Sequence, residues 1–119
     1  MKKLSLALAG ATLFALGSGA YAADLAAGKA AYEKFNCASC HGADGKSPVM
    51  PSYPILSGQH ADFLAHALKA YKRGAAGAPA TANVRKNAIM GAMVAPLSEA
   101  DIQNIAAWLA SQPSSLSTR

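Results

Sequence analysis

Both cysteines of the 119-residue chain fall within one pentapeptide, Cys37-Ala38-Ser39-Cys40-His41. A disulfide across so short a loop would restrain the unfolded chain little, so a structural staple is a poor account of the pair. A thioredoxin-like redox pair follows a strand in a βαβ unit, and no strand-like run precedes Cys37. A zinc site needs four ligands, and only His60 and His66 are at hand to complete one. Cys-x-x-Cys-His is, by contrast, the spacing of covalent haem attachment. Two thiols add to the two porphyrin vinyl groups across a single helical turn. The adjacent imidazole then lies beneath the iron as proximal ligand.

The chain begins Met1-Lys2-Lys3, followed by an apolar run from Leu4 to Gly17 and the small residues Ala20-Tyr21-Ala22. These are the three regions of a secretory signal peptide, with the cut expected after Ala22. The run is shorter than the roughly 20 residues needed to cross a bilayer, and no basic stop-transfer cluster follows it. The expected organisation is therefore a signal segment 1–22 and one domain, 23–119, in the periplasm with no stable membrane insertion.

Without the signal, nine basic residues face six acidic ones, a balance of +3. That is too mild to argue for nucleic acid. The six aromatic residues of 23–119 are Tyr32, Phe35, Tyr53, Phe63, Tyr71 and Trp108, against 23 alanines. A core built from these is thin for its length unless a large apolar object fills it.

β-branched residues are few in 23–119 and no segment alternates with period two, so the chain reads as all-α. Asp24 caps a first helix running to about Phe35, with Leu25, Gly28, Tyr32 and Phe35 on one face. Residues 42–58, with Pro48, Pro51 and Pro54, form a loop. A second long helix is predicted from Gln59 to Arg73, ended by Gly74. Its apolar stripe is Phe63, Leu64, Ala67, Leu68 and Tyr71, with His60 and His66 as surface residues. Residues 74–83 read as a flexible loop. Ser98-Glu99-Ala100-Asp101 resembles a capping box opening a last helix to about Ser111, with Ile102, Ile105, Trp108 and Leu109 buried. Residues 114–119 form a frayed tail.

The second axial ligand decides what such a haem does, because one protein ligand leaves the iron open while two make an electron conduit. Met90 and Met93 lie together in a short segment before the last helix, and either thioether would favour reversible one-electron transfer. Met50 is too close to the attachment loop to swing easily across the haem.

The sequence resembles a class I c-type cytochrome, and more narrowly the single-haem domains of bacterial periplasmic cytochromes that also occur fused as dihaem proteins. The resemblance rests on Cys37-Ala38-Ser39-Cys40-His41-Gly42-Ala43-Asp44-Gly45, Pro54-Ile55-Leu56-Ser57-Gly58-Gln59 and Ala70-Tyr71-Lys72-Arg73-Gly74. It continues through Met90-Gly91-Ala92-Met93 and Leu97-Ser98-Glu99-Ala100-Asp101-Ile102. It implies about four helices wrapped around one covalent haem c, with His41 and Met90 as iron ligands and Met93 as the alternative. It also implies a crossing of the first and last helices, with Gly28 and Tyr32 against Ile105 and Trp108. A proline carbonyl would accept the His41 N–H, with Pro51 the candidate ahead of Pro48. Tyr53 would pack on the haem and Arg85 would meet a propionate. The function implied is that of a periplasmic electron carrier rather than an enzyme, with redox proteins as partners. These would be a membrane-bound oxidase, a reductase or a periplasmic dehydrogenase, the last also admitting a role as haem subunit. Lys46, Lys69, Lys72, Arg73 and Lys86 are the residues from which an acidic partner's docking patch would be built.

Overall fold

The computed structural model describes residues 22–115, so the expected signal segment lies outside the described residues except for Ala22, as do the last four residues of the tail. All regular structure among the described residues is helical. Asp24 starts α1 (Leu25–Lys34), its carboxylate accepting the Ala27 N–H at 3.0 Å. A first-turn donor that no helical carbonyl can reach is satisfied in this way. Ser98 starts α5 (Glu99–Ser111) with the reciprocal pair expected. The Asp101 N–H donates to Ser98 Oγ at 3.0 Å, and the Ser98 N–H donates to Asp101 Oδ2 at 2.9 Å.

These two helices cross where α1 has no side chain. A Cβ on Gly28 would collide with the Asn104 carbonyl and come within 2.8 Å of Trp108 Cβ. The mid-helix glycine, which costs about 1 kcal/mol relative to alanine, is the condition for that approach. Its backbone neighbour is Asn104 rather than the expected Ile105, which turns towards the interior cavity. Tyr32 is fully buried, its ring centroid 4.9 Å from that of Trp108. Its hydroxyl donates to the Gly42 carbonyl at 2.8 Å and so ties the crossing to the residue after His41. Leu25, expected on the same face, is 47% exposed because it lies a turn before the crossing.

The Cys-x-x-Cys-His segment forms the single turn α2 (Ala38–His41). After the loop, α3 (Ala61–Ala75) starts two residues later than predicted and runs through Gly74. The stop is Gly77, in the left-handed region at φ 79°. Around it the Ala78 N–H bonds Arg73 O at 3.1 Å and the Gly77 N–H bonds Gly74 O at 3.2 Å, a Schellman ending. Gly74 has another reason to be glycine, since any Cβ there would strike the Arg85 carbonyl.

Residues 74–83, expected as a flexible loop, instead contain the end of α3 and a 3₁₀ turn at Ala80–Ala82. Arg73 holds that turn, donating from Nε to Ala82 O at 3.0 Å and from a terminal nitrogen to Asn83 O at 2.7 Å. The methionine segment, expected as irregular, is a helix, α4 (Ala88–Val94), capped by Asn87 Oδ1 on the Met90 N–H at 2.9 Å. With Gly91 at its centre and seven residues in all, α4 is too short to form alone and depends on its packing against α3. The described residues hold five α-helices, in keeping with the expected all-α arrangement of about four.

Candidate functional site

A cavity of about 570 Å³ opens between α2, the following loop, α3, α4 and α5. All five residues of the α3 stripe (Phe63, Leu64, Ala67, Leu68 and Tyr71) line it, joined by Leu56, Ile89, Val94, Leu97, Ile105 and Leu109. The amphipathic face that periodicity assigned to the core thus borders space rather than side chains over much of its length. Phe63 and Ile89 line the cavity yet are 51% and 57% exposed. Among the described residues, Arg85 is the one Lys, Arg, Asp or Glu that lines it, and its guanidinium sits over two rings, 5.6 Å from Phe63 and 5.5 Å from Tyr71.

At one side of this space are Cys37, Cys40 and His41. Both thiols are free, and burial pushes the Cys37 thiol up to about 11. A redox-active dithiol needs the opposite shift, toward thiolate, so the environment does not suit a thioredoxin-like role. The His41 ring is buried, and its Nδ1–H donates to the Pro54 carbonyl at 3.0 Å. That bond fixes the tautomer and leaves Nε2 as the nitrogen with a free lone pair.

The acceptor is Pro54, not Pro51 or Pro48. Pro51 and Ser52 are the middle of a turn closed by the Tyr53 N–H on Met50 O at 3.0 Å; Ser52 already lines the cavity, whereas Pro51 does not. Tyr53 and Pro54 follow on the same wall, so Pro54, and neither Pro48 nor Pro51, lines the cavity. Pro54 opens the Pro-Ile-Leu-Ser-Gly-Gln segment on which the resemblance rests, yet only Pro51 and Pro48 were expected as acceptors.

Tyr53, Met90 and Met93 also line the cavity, with the Tyr53 ring centroid 6.2 Å from that of His41. The i, i+3 spacing of the two methionines on α4 puts both thioethers on the wall that also receives His41. His60 and His66 are exposed, and His66 spends its Nδ1–H on Asp62 O within its own helix at 2.7 Å. Among the described residues there is no group of three or more His, Cys, Asp or Glu able to hold a metal ion, so the four-ligand zinc alternative has no donor set.

The fit to a haem follows from these donors. A large apolar slot carries two thiols one helical turn apart and an oriented imidazole. It also has thioethers on a separate helix and a single cation near its rim.

The Cytochrome c family profile matches residues 25–113. The chain is 42% identical over 81 residues to cytochrome c4 of Stutzerimonas stutzeri, covering 67% of this chain and 38% of that protein. It is 42% identical over 105 residues to cytochrome c6 of a Picosynechococcus species, covering 86% of this chain and 85% of the relative. The crystal structure of reduced recombinant cytochrome c4 from Pseudomonas stutzeri superposes with a TM-score of 0.67 at 38% identity, over 77% of this chain and 47% of that one. The protein belongs to the cytochrome c family. Within it, the chain is a class I c-type cytochrome domain whose cofactor is one covalently bound haem c, and it spans about half or less of the c4-type proteins it matches.

Proposed function

We propose that this domain is a periplasmic electron carrier in which His41 and Met90 are the axial ligands of a single haem c held by Cys37 and Cys40. The observation that carries this reading is the oriented His41 imidazole sharing one apolar cavity with the α4 thioethers. The haem supplies a reversible one-electron couple at iron. The chain supplies the rest. Pro54 holds the His41 ring against rotation, and the α3 stripe keeps water from the cavity. Arg85, steadied between Phe63 and Tyr71, sets a fixed positive charge where a propionate is to be balanced. Tyr53, lining the cavity beside His41, would pack against the bound group.

The expected docking patch is narrower than its sequence suggested. Lys46 lies 3.8 Å from Asp44, Lys69 is 2.5 Å from Glu99, Lys72 donates to Leu97 O, and Arg73 is spent on the 80–83 turn. Arg85, with the exposed apolar Phe63 and Ile89, marks the cavity edge at which an acidic redox protein would dock, and exposed Lys86 is its neighbour in the chain. Residues 1–22 are proposed as the export signal, so the mature N-terminus should be Ala23.

The test is an absorption spectrum of the periplasmic protein in both redox states. Sharp reduced c-type bands and the weak far-red ferric band of thioether ligation are expected. Met90→Ala should abolish the far-red band and Met93→Ala should keep it. A wild-type ferric protein that is high-spin and binds cyanide at once overturns six-coordination, and loss of the band only in Met93→Ala transfers the ligand role to Met93.

A further inference from the structure

We propose that Lys72 is a positioning residue for the axial thioether, acting as a latch that holds the methionine helix against α3. This rests on the His/Met reading above. The segment from Arg85 to Leu97 carries both methionines and is fastened to α3 at both ends. At its front, the Arg85 N–H donates to Ala70 O at 3.1 Å and the Arg85 carbonyl packs on the bare backbone of Gly74. At its back, the Lys72 ammonium donates to the Leu97 carbonyl.

Between these fastenings the helix lies smoothly on its neighbour. The nearest side-chain atom to a Cβ built on Gly91 would be Ala75 Cβ, at 3.2 Å. No large side chain of Gly91 or Ala75 interlocks there, so on that face α4 is placed by Val94, buried in the core, together with its two ends. The front fastening is backbone to backbone, whereas the back one depends on a single side chain. Lys72 is half-buried, and Leu97 and Val94 beside the bond are 2% and 1% exposed. Glu99 and Asp101 nearby are held below their usual range chiefly by the Lys69 hydrogen bond and by the Ser98 N–H respectively, with the Lys72 charge a minor addition. A charge-assisted bond to a carbonyl at a desolvated joint is stronger than a neutral one. Lys69 adds a second tie at the same joint through Glu99, whose side chain is 65% exposed, and exposed pairs contribute little.

The latch governs how often the thioether leaves the iron, which ligand exchange reads directly. Ferric holoprotein is mixed with imidazole in a stopped-flow instrument, and loss of the far-red band is followed at saturating imidazole. Lys72→Met keeps the length of the side chain and removes the donor. It should retain the band at rest and lose it to imidazole about tenfold faster than wild type, the scale of a bond to a charged group. Lys72→Arg, which keeps a donor, should exchange near the wild-type rate. Lys69→Gln should give a smaller acceleration than Lys72→Met. Asp24→Ala removes the cap of α1 far from the latch and controls for general loss of stability.

Exchange in Lys72→Met at the wild-type rate overturns the proposal, as does an equal acceleration in Asp24→Ala. Should Lys72→Met fail to fold, Lys72→Gln takes its place, with acceleration beyond that of Asp24→Ala supporting the latch and exchange at the wild-type rate overturning it. Absence of the band from the wild type instead defeats the ligation reading beneath it.

Discussion

The α1–α5 crossing and the α3–α4 wall are both helix pairs of the same chain, yet they are finished by different means. At the crossing, polypeptide alone completes the packing. Gly28 admits the Asn104 backbone, Tyr32 packs at a tilt against Trp108 and bonds Gly42, and Asn104 Oδ1 accepts the Asp24 N–H at 2.9 Å. Along α3 and α4 the apolar stripe looks into a cavity, leaving Phe63 and Ile89 half exposed. One half of the molecule is a protein core; the other is a wall shaped for a partner the chain does not encode. The scarcity of aromatic residues follows from that division, because the macrocycle supplies the bulk that side chains would otherwise provide.

The largest effect should come from separating the two halves by withholding the cofactor. In Cys37→Ala/Cys40→Ala, amide hydrogen exchange should show α3 and α4 losing protection by orders of magnitude more than α1 and α5. Equal loss everywhere would mean the crossing is not self-sufficient, and unchanged protection would mean the wall does not need the haem. Next in size is Gly28→Ala, which forces a Cβ into the Asn104 carbonyl. Overpacking typically costs about 1–3 kcal/mol, and collision with backbone places this site at the upper end. Chemical denaturation of the holoprotein measures it, and a neutral result would break the account of the crossing.

The smallest effect concerns the α5 cap. Ser98→Ala should cost about 1 kcal/mol. In the wild type the Asp101 carboxyl is held below its usual range chiefly by the Ser98 N–H. A carboxyl depressed in the folded state stabilises above its unfolded value, and that contribution is lost as pH falls through the folded value. Denaturation midpoints should therefore drop below about pH 4, and part of the drop should vanish in Asp101→Asn. An identical acid limb in the variant would remove Asp101 from the explanation.

Much of this division was legible in the sequence, for local reasons. The attachment motif is contiguous, the caps at Asp24 and Ser98 act within one turn, and the stripe at 63–71 follows from helical period. The misses were of another kind. Gly74 looked like a stop because it follows Lys72-Arg73, but its glycine answers a contact with Arg85, eleven residues on. The short helix at 88–94 was hidden by Gly91 and by a length below what local propensity can hold. The expectation of Pro51 ahead of Pro48 missed Pro54, because which carbonyl reaches His41 depends on the path of the loop.

By itself, then, the sequence determined the cofactor, the helical class and the residues able to ligate iron, because covalent chemistry and helix periodicity are read from neighbours in the chain. The tertiary structure decided which proline carbonyl orients His41 and which basic residues are already engaged. It also showed how the methionine helix is fastened between Ala70 and Leu97. Those outcomes depend on backbone paths meeting across long separations, where the competing partners differ by position and not by residue type.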